Sequence, residues 1–281
     1  MRTWTRYSRN QQGFSMIELI IVMGLTTVLM GTAIYTFMKQ EKVIRTEQSA
    51  TQIRAAGRNG INELAKELRR IGYGMPRGHG LYSVGTNYVF WWCNTDNATT
   101  PVTSDVAISD TTIDVQNSNL MKTSTGGYGY LMLRTIKQTD QWNMVRFVSS
   151  NVAGTRVTLS MYPNQAFSVA TETVQLSKMK YQRITHDATN NLILFYDDSS
   201  PVVPLVHNVK SVNFTYYNSA GATVTVPLTN SGWTSSVGNA TGSNNIHTIR
   251  RIGIELVMED PDDFAKDITL KTDVNLRNMG S

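Results

Sequence analysis

Apolar residues fill the chain almost without break from Phe14 to Met38, 25 residues with Glu18 as the one formal charge. A run of that length spans a bilayer as an α-helix. Beyond it the pattern turns amphipathic: Val43, Ile44, Ile53, Ala56, Ile61, Leu64, Ala65, Leu68 and Ile71 recur mostly at three- and four-residue steps, the spacing of one helix face. No proline precedes Pro76, and Gly72, Gly74 and Pro76 supply the stop. The pattern predicts one continuous helix from Phe14 to Ile71, about 87 Å long at 1.5 Å per residue. Gly24, Gly31, Gly57 and Gly60 are its weak points, and Gly24 and Gly31 suit either close helix approach or plain tolerance of small residues.

From Leu81 the period falls to two. Strands are predicted at Tyr88–Trp92, Thr112–Val115, Gly129–Ile136, Asn143–Val148, Arg156–Met161, Thr173–Arg183, Leu192–Tyr196, Val209–Tyr217, Thr223–Pro227, Thr248–Met258 and Ile268–Leu276. Asn190-Asn191 and Asn218–Gly221 read as hairpin turns. Residues 94–110 and 229–245 read as loops, whose tips suit binding. The expected class is α+β: a cleaved basic leader (1–13), a membrane-spanning or filament-core helix (14–38), an amphipathic continuation packed on the head (39–71) and an antiparallel β-rich head (72–281).

Charge follows this division. Arg2, Arg6 and Arg9 give the leader +3, residues 39–71 carry eight bases and four acids, and residues 72–281 carry fifteen bases and sixteen acids. The basic leader is held in the cytoplasm by the positive-inside rule. The near-neutral head shows no basic patch of the kind nucleic acid needs. A cleaved signal peptide would have a shorter apolar core and an A-x-A-like exit. A plain single-pass anchor fits the length but leaves Glu18 unexplained. A carboxylate in a membrane helix costs roughly 2.5–3.5 kcal/mol at the bilayer centre, less near an end, and calls for a cationic partner.

Gly13-Phe14-Ser15-Met16-Ile17-Glu18 resembles the processing site of type IV pilins and pseudopilins. The resemblance implies that a prepilin peptidase cuts after Gly13, that the new Phe14 amine is N-methylated, and that Glu18, fifth after the cut, meets the amine of a neighbouring subunit. It extends more weakly to the helix exit, Leu68–Met75, to Val206–Tyr217 and to Leu270–Asn278, which are similar to PilW-type minor pilins. It implies a pilin-like fold and a minor pilin that promotes assembly of a type IV pilus or its initiating tip complex. Its partners would be prepilin peptidase and other minor and major pilins. It would sit in the bacterial inner membrane, N-terminus cytoplasmic and head periplasmic, and reach the cell surface in the pilus. Pseudopilin J of type II secretion shares much of this layout, and a membrane-anchored binding protein that never polymerises is a rival of another class.

Catalytic signatures are absent from the sequence: His79, His186, His207 and His247 are scattered, and no zinc, nucleophile-elbow or phosphate-loop motif occurs. No enzyme activity and no cofactor is expected. Glu259, Asp260, Asp262 and Asp263 are candidate Ca²⁺ ligands by oxygen count, without EF-hand spacing; a solvated loop is the alternative. Cys93, the one cysteine, reads as a buried thiol or as a link to another subunit. Trp91, Trp92, Tyr128 and Tyr130 read as core or as a sugar- or partner-binding surface.

Overall fold

The computed structural model describes residues 15–76, 78–121, 129–136, 142–150, 154–198, 201–229 and 245–277. Its first element is the helix α1, Met16–Leu68, 53 residues long. It runs unbroken through Gly24 and Gly31. Its end comes three residues before the expected Ile71. Gly72 and Gly74 adopt φ of 71° and 76°, backbone that only glycine enters freely. The chain then turns onto the sheet, with the Gly72 N–H donating to the Trp92 carbonyl at 3.1 Å.

Only the second half of α1 is covered. Ile53, Gly57, Gly60, Ile61, Leu64, Ala65 and Leu68 are buried, repeating at three and four residues as an amphipathic face does. Val43, Ile44 and Ala56, expected on that face, are exposed; for Val43 and Ile44 the periodicity continues past the point where the head begins. Gly57 and Gly60 are close-packing positions. A Cβ on Gly60 would lie 2.6 and 2.9 Å from the two Val206 methyls, and one on Gly57 2.4 Å from Leu270 Cδ1.

The head holds two antiparallel sheets. The strands are β1 (Leu81–Val84), β2 (Tyr88–Cys93), β3 (Thr99–Pro101), β4 (Thr112–Asp114), β5 (Gly129–Ile136), β6 (Trp142–Ser150), β7 (Arg156–Met161), β8 (Thr173–Asp187), β9 (Leu192–Asp197), β10 (Val203–His207), β11 (Val209–Asn218), β12 (Thr223–Val224), β13 (Leu228–Thr229), β14 (Ile249–Met258) and β15 (Ile268–Asn275). The smaller sheet runs β12-β11-β14-β15. The larger runs β13-β1-β2-β8-β5-β6-β7-β4, with β3, β9 and β10 joined through β8.

Strand β8 ties the head together. Its first half pairs with β5 and β3, its second half with β2 and β9. One core lies under the helix and contains Leu64, Leu68, Trp91, Ile184, Tyr216 and Ile254. A second, with Val106, Leu131, Val145, Phe167 and Leu176, fills the lobe built from residues 98–176. Lys178 and Lys180, following Leu176 at two-residue steps, lie where the two meet. Lys180 Nζ is 2.7 Å from Asp96 and 3.7 Å from Asp197. Burial pulls the Lys180 ammonium down, but its hydrogen bond to Asp96 and the two nearby charges outweigh this and leave its pKa raised.

Four strands arise that the periodicity does not predict: β1, β3, β10 and β13. Pro101 ends β3 and Pro204 lies in β10; each pairs on one side only, as proline requires of an edge strand. β3 also makes part of the expected loop 94–110 a strand. Of the single strand expected at Thr223–Pro227 only Thr223–Val224 forms, with β13 lying beyond it. β12 pairs with β11, whereas β13 crosses to pair with β1 in the other sheet. Both predicted hairpins form. Residues 230–244, in the second expected loop, lie outside the described residues.

Gly60→Leu is expected to cost about 1–3 kcal/mol through overpacking against branched Val206. Gly57→Ala is expected to cost less, because the Leu270 tip can swing. Unfolding of the full chain in detergent, followed by tryptophan fluorescence, checks both; a Gly60→Leu chain as stable as the wild type would contradict the packing.

Candidate assembly interface on the N-terminal helix

The helix begins at Ser15, whose backbone is extended (φ −67°, ψ 140°) and whose carbonyl accepts the Leu19 N–H at 3.1 Å. Glu18 is in the first turn, where the helix dipole favours an anion. Gly13 and Phe14, the expected cleavage and methylation residues, lie outside the described residues.

From Met16 to Met38 every side chain is exposed, among them Ile17 at 69 %, Leu25 at 64 % and Phe37 at 67 %. The segment is long and apolar enough to cross a membrane, and none of it is covered by the head. Its four threonines direct their hydroxyls inward along the backbone. Thr26 donates to Val22 and Thr27 to Met23 at 2.7 Å, Thr32 to Leu29 and Thr36 to Thr32 at 2.8 Å. The helix therefore satisfies these polar groups internally, as an apolar surrounding demands. Glu18 differs: among the described residues nothing pairs with it. The arrangement offers an apolar rod that needs cover and one carboxylate near its start that needs a cation.

The remaining candidates fall elsewhere. Asp260 accepts hydrogen bonds from Ser49 Oγ at 2.6 Å and from the backbone N–H groups of Asp262, Phe264 and Ala265 at 3.1, 2.9 and 2.7 Å. The Ser49 hydroxyl, with these backbone donors, holds its carboxyl below the usual range. Glu259 accepts from Asn191. No three of the described Asp, Glu, His or Cys residues form a group able to hold a metal ion, so the structure does not gather Glu259, Asp260, Asp262 and Asp263 around a cation position. The acidic loop instead fastens the β14–β15 connection to the helix through Ser49. That contact has no linear signature in the sequence.

Cys93 is buried, its Sγ 2.9 Å from Gln182 Oε1, which also accepts from Trp91 Nε1 at 3.1 Å. Trp91 belongs to the core under the helix. Trp92 faces the other way, its ring 4.6 Å from that of Tyr130. Tyr128 lies outside the described residues. His79 and His247 come together, centroids 4.7 Å apart. His186 is separate, with Nε2 3.0 Å from the Val209 carbonyl.

Residues 8–34 match the prokaryotic N-terminal methylation motif. No curated protein and no solved structure matches the chain. The motif supports a type IV pilin-like prepilin. It implies processing by a prepilin peptidase and pilin partners in general, and with the apolar helix it fits membrane anchoring and a place in a pilus.

Burial pushes the Cys93 thiol up to about 12 from an ordinary 9.0. The folded state thus keeps a proton that the unfolded chain releases, so this group's contribution to stability is full below pH 9 and is lost as pH rises from 9 towards 12. Iodoacetamide at pH 8 should leave the folded chain unlabelled and modify the unfolded chain fully; equal labelling of both would contradict the burial.

Proposed function

We propose that the chain is a minor pilin, most similar to PilW, that serves assembly and not catalysis. It is inserted once in the bacterial inner membrane with the N-terminus cytoplasmic and the head periplasmic. It is cut after Gly13 and methylated on Phe14, then built into a type IV pilus or its initiating tip complex. The observation that carries this reading is Glu18, a lone carboxylate on an uncovered apolar helix, five residues beyond a Gly-Phe junction that sits within the matched motif.

The mechanism follows from desolvation. Before cleavage the arginines of the leader are held in water. Cleavage removes them and creates a cation at the apolar end of the helix. The Glu18 carboxylate of one subunit then meets the amine of another, and this attraction offsets the cost of keeping both out of water. Mispaired register leaves an uncompensated charge, so the pair sets the axial position of each helix. The apolar side chains around it exchange lipid for neighbouring helices, and the head docks laterally on other pilins.

Glu18→Ala should leave cleavage intact, because the peptide bond after Gly13 is unchanged. It should lower the amount of the chain in sheared pili by tenfold or more, the equivalent of about 1.4 kcal/mol. Immunoblots of sheared pili and membranes separate the two effects. Undiminished incorporation of the alanine variant would overturn the proposed pairing.

A further inference from the structure

The large sheet has one face turned to the helix and one turned away. Along β2, Val89, Trp91 and Cys93 belong to the core under the helix, so by strand alternation Tyr88, Phe90 and Trp92 occupy the other face. The register sets Arg183 of β8 between Phe90 of β2 and Tyr196 of β9. Its guanidinium carbon is 4.7 Å from the Tyr196 ring centroid and 6.0 Å from that of Phe90. Among the described residues no carboxylate and no hydrogen-bond acceptor engages it. Asp187, at the far end of the same strand, is taken up by Thr189 and Asn190, and burial, with Asp197 beside it, pushes the Asp198 carboxyl up against the weaker pull of Lys178 and Lys180. Around the guanidinium the rings form a row, with centroids 5.0 Å apart for Tyr88–Phe90, 5.9 Å for Phe90–Tyr181 and 5.1 Å for Tyr181–Trp92. Tyr88, Phe90 and Tyr181 are half-buried, and Trp92 is buried in a cluster with Met132 and Met179 against which Tyr181 packs.

We propose that this face is a docking platform for an acidic, carboxylate-bearing polysaccharide, with Arg183 as the anion-binding group and the aromatic row as the surface on which sugar rings lie. A guanidinium stacked between two rings is held in one orientation while its edge donors stay free, which suits bidentate capture of a carboxylate. Phenol rings offer an apolar face and a hydroxyl rim, matching a pyranose with its C–H face and equatorial hydroxyls. An extended row fits a chain polymer better than a compact ligand. Polynucleotides also stack on aromatic rows, but their affinity rests on several phosphate-neutralising cations. Among the described residues Arg183 is the one guanidinium over the Tyr88–Trp92 row, with Arg146 lying 6.0 Å from the Tyr130 ring beyond its end, too few for a phosphate backbone. The inference concerns the head alone and is independent of the machine in which the helix assembles.

The full mature chain in detergent micelles, immobilised through a C-terminal tag, tests it against polygalacturonate, neutral dextran and a single-stranded oligothymidylate. Saturable binding to polygalacturonate is expected, at least tenfold tighter than to dextran. Arg183→Gln should weaken it about tenfold, and Arg183→Lys, which keeps the charge but loses the planar fork, should weaken it by less. Circular dichroism checks that each variant is folded; should Arg183→Gln not fold, the lysine variant decides. The proposal is overturned by absence of saturable polygalacturonate binding, by binding that these variants leave unchanged, by tighter binding of the oligonucleotide, or by self-association of the chain that Arg183→Gln abolishes.

Discussion

A single 53-residue helix has to satisfy two different surroundings, and the rest of the architecture follows from how it does so. Its C-terminal half gains cover within the chain: one face from Ile53 to Leu68 is buried against the head, and glycines at 57 and 60 let strands β15 and β10 come close. Its N-terminal half gains none. Apolar side chains from Met16 onward are uncovered, and four threonine hydroxyls turn back onto the helix backbone. Such a surface is stable only in lipid or among other helices. Within residues 16–38 Glu18 is the one formal charge, and among the described residues nothing pairs with it.

The head acts as a counterpart to this rod. Fifteen-residue β8 belongs at once to the part that grips the helix and to the lobe with its own core. Lys178 and Lys180, paired with Asp96, mark the junction. Asp96 is exposed there and the lysines are half-buried, so the pairing contributes modestly and the shared strand is what joins the two parts. Movement of the lobe relative to the helix is thereby opposed by the continuous strand. The acidic connection after β14 adds a clasp on the helix through Ser49 and Asp260.

Local physics made much of this legible in the sequence. The helix, both hairpins and the eleven predicted strand regions rest on periodicity and turn chemistry, and two of the lengths in error have clear causes. Helix α1 stops at Leu68 because the chain tightens ahead of left-handed Gly72, with the Arg70 N–H donating to the Glu67 carbonyl and the Ile71 N–H to the Leu68 carbonyl. The strand expected at 223–227 stops at Val224 because the chain then crosses to pair, as β13, with β1 in the other sheet, a choice made by tertiary contacts. Edge strands β3 and β10 contain Pro101 and Pro204, residues that weaken a strand pattern in sequence. At the helix start, Gly13, Phe14 and Glu18 form a linear motif and were readable as such. By contrast, the Ser49–Asp260 clasp, the seat of Val206 on Gly60 and the stacking of Arg183 join residues far apart in sequence, and no periodicity encodes them.

The account stands on a carboxylate whose cation is made by cleavage. Intact mass spectrometry of the native chain recovered from membranes and from pili reads that directly. It should find an N-terminal methylated phenylalanine at position 14 and no residue of the leader. A functioning chain that still carried Arg2, Arg6 and Arg9 would contradict it.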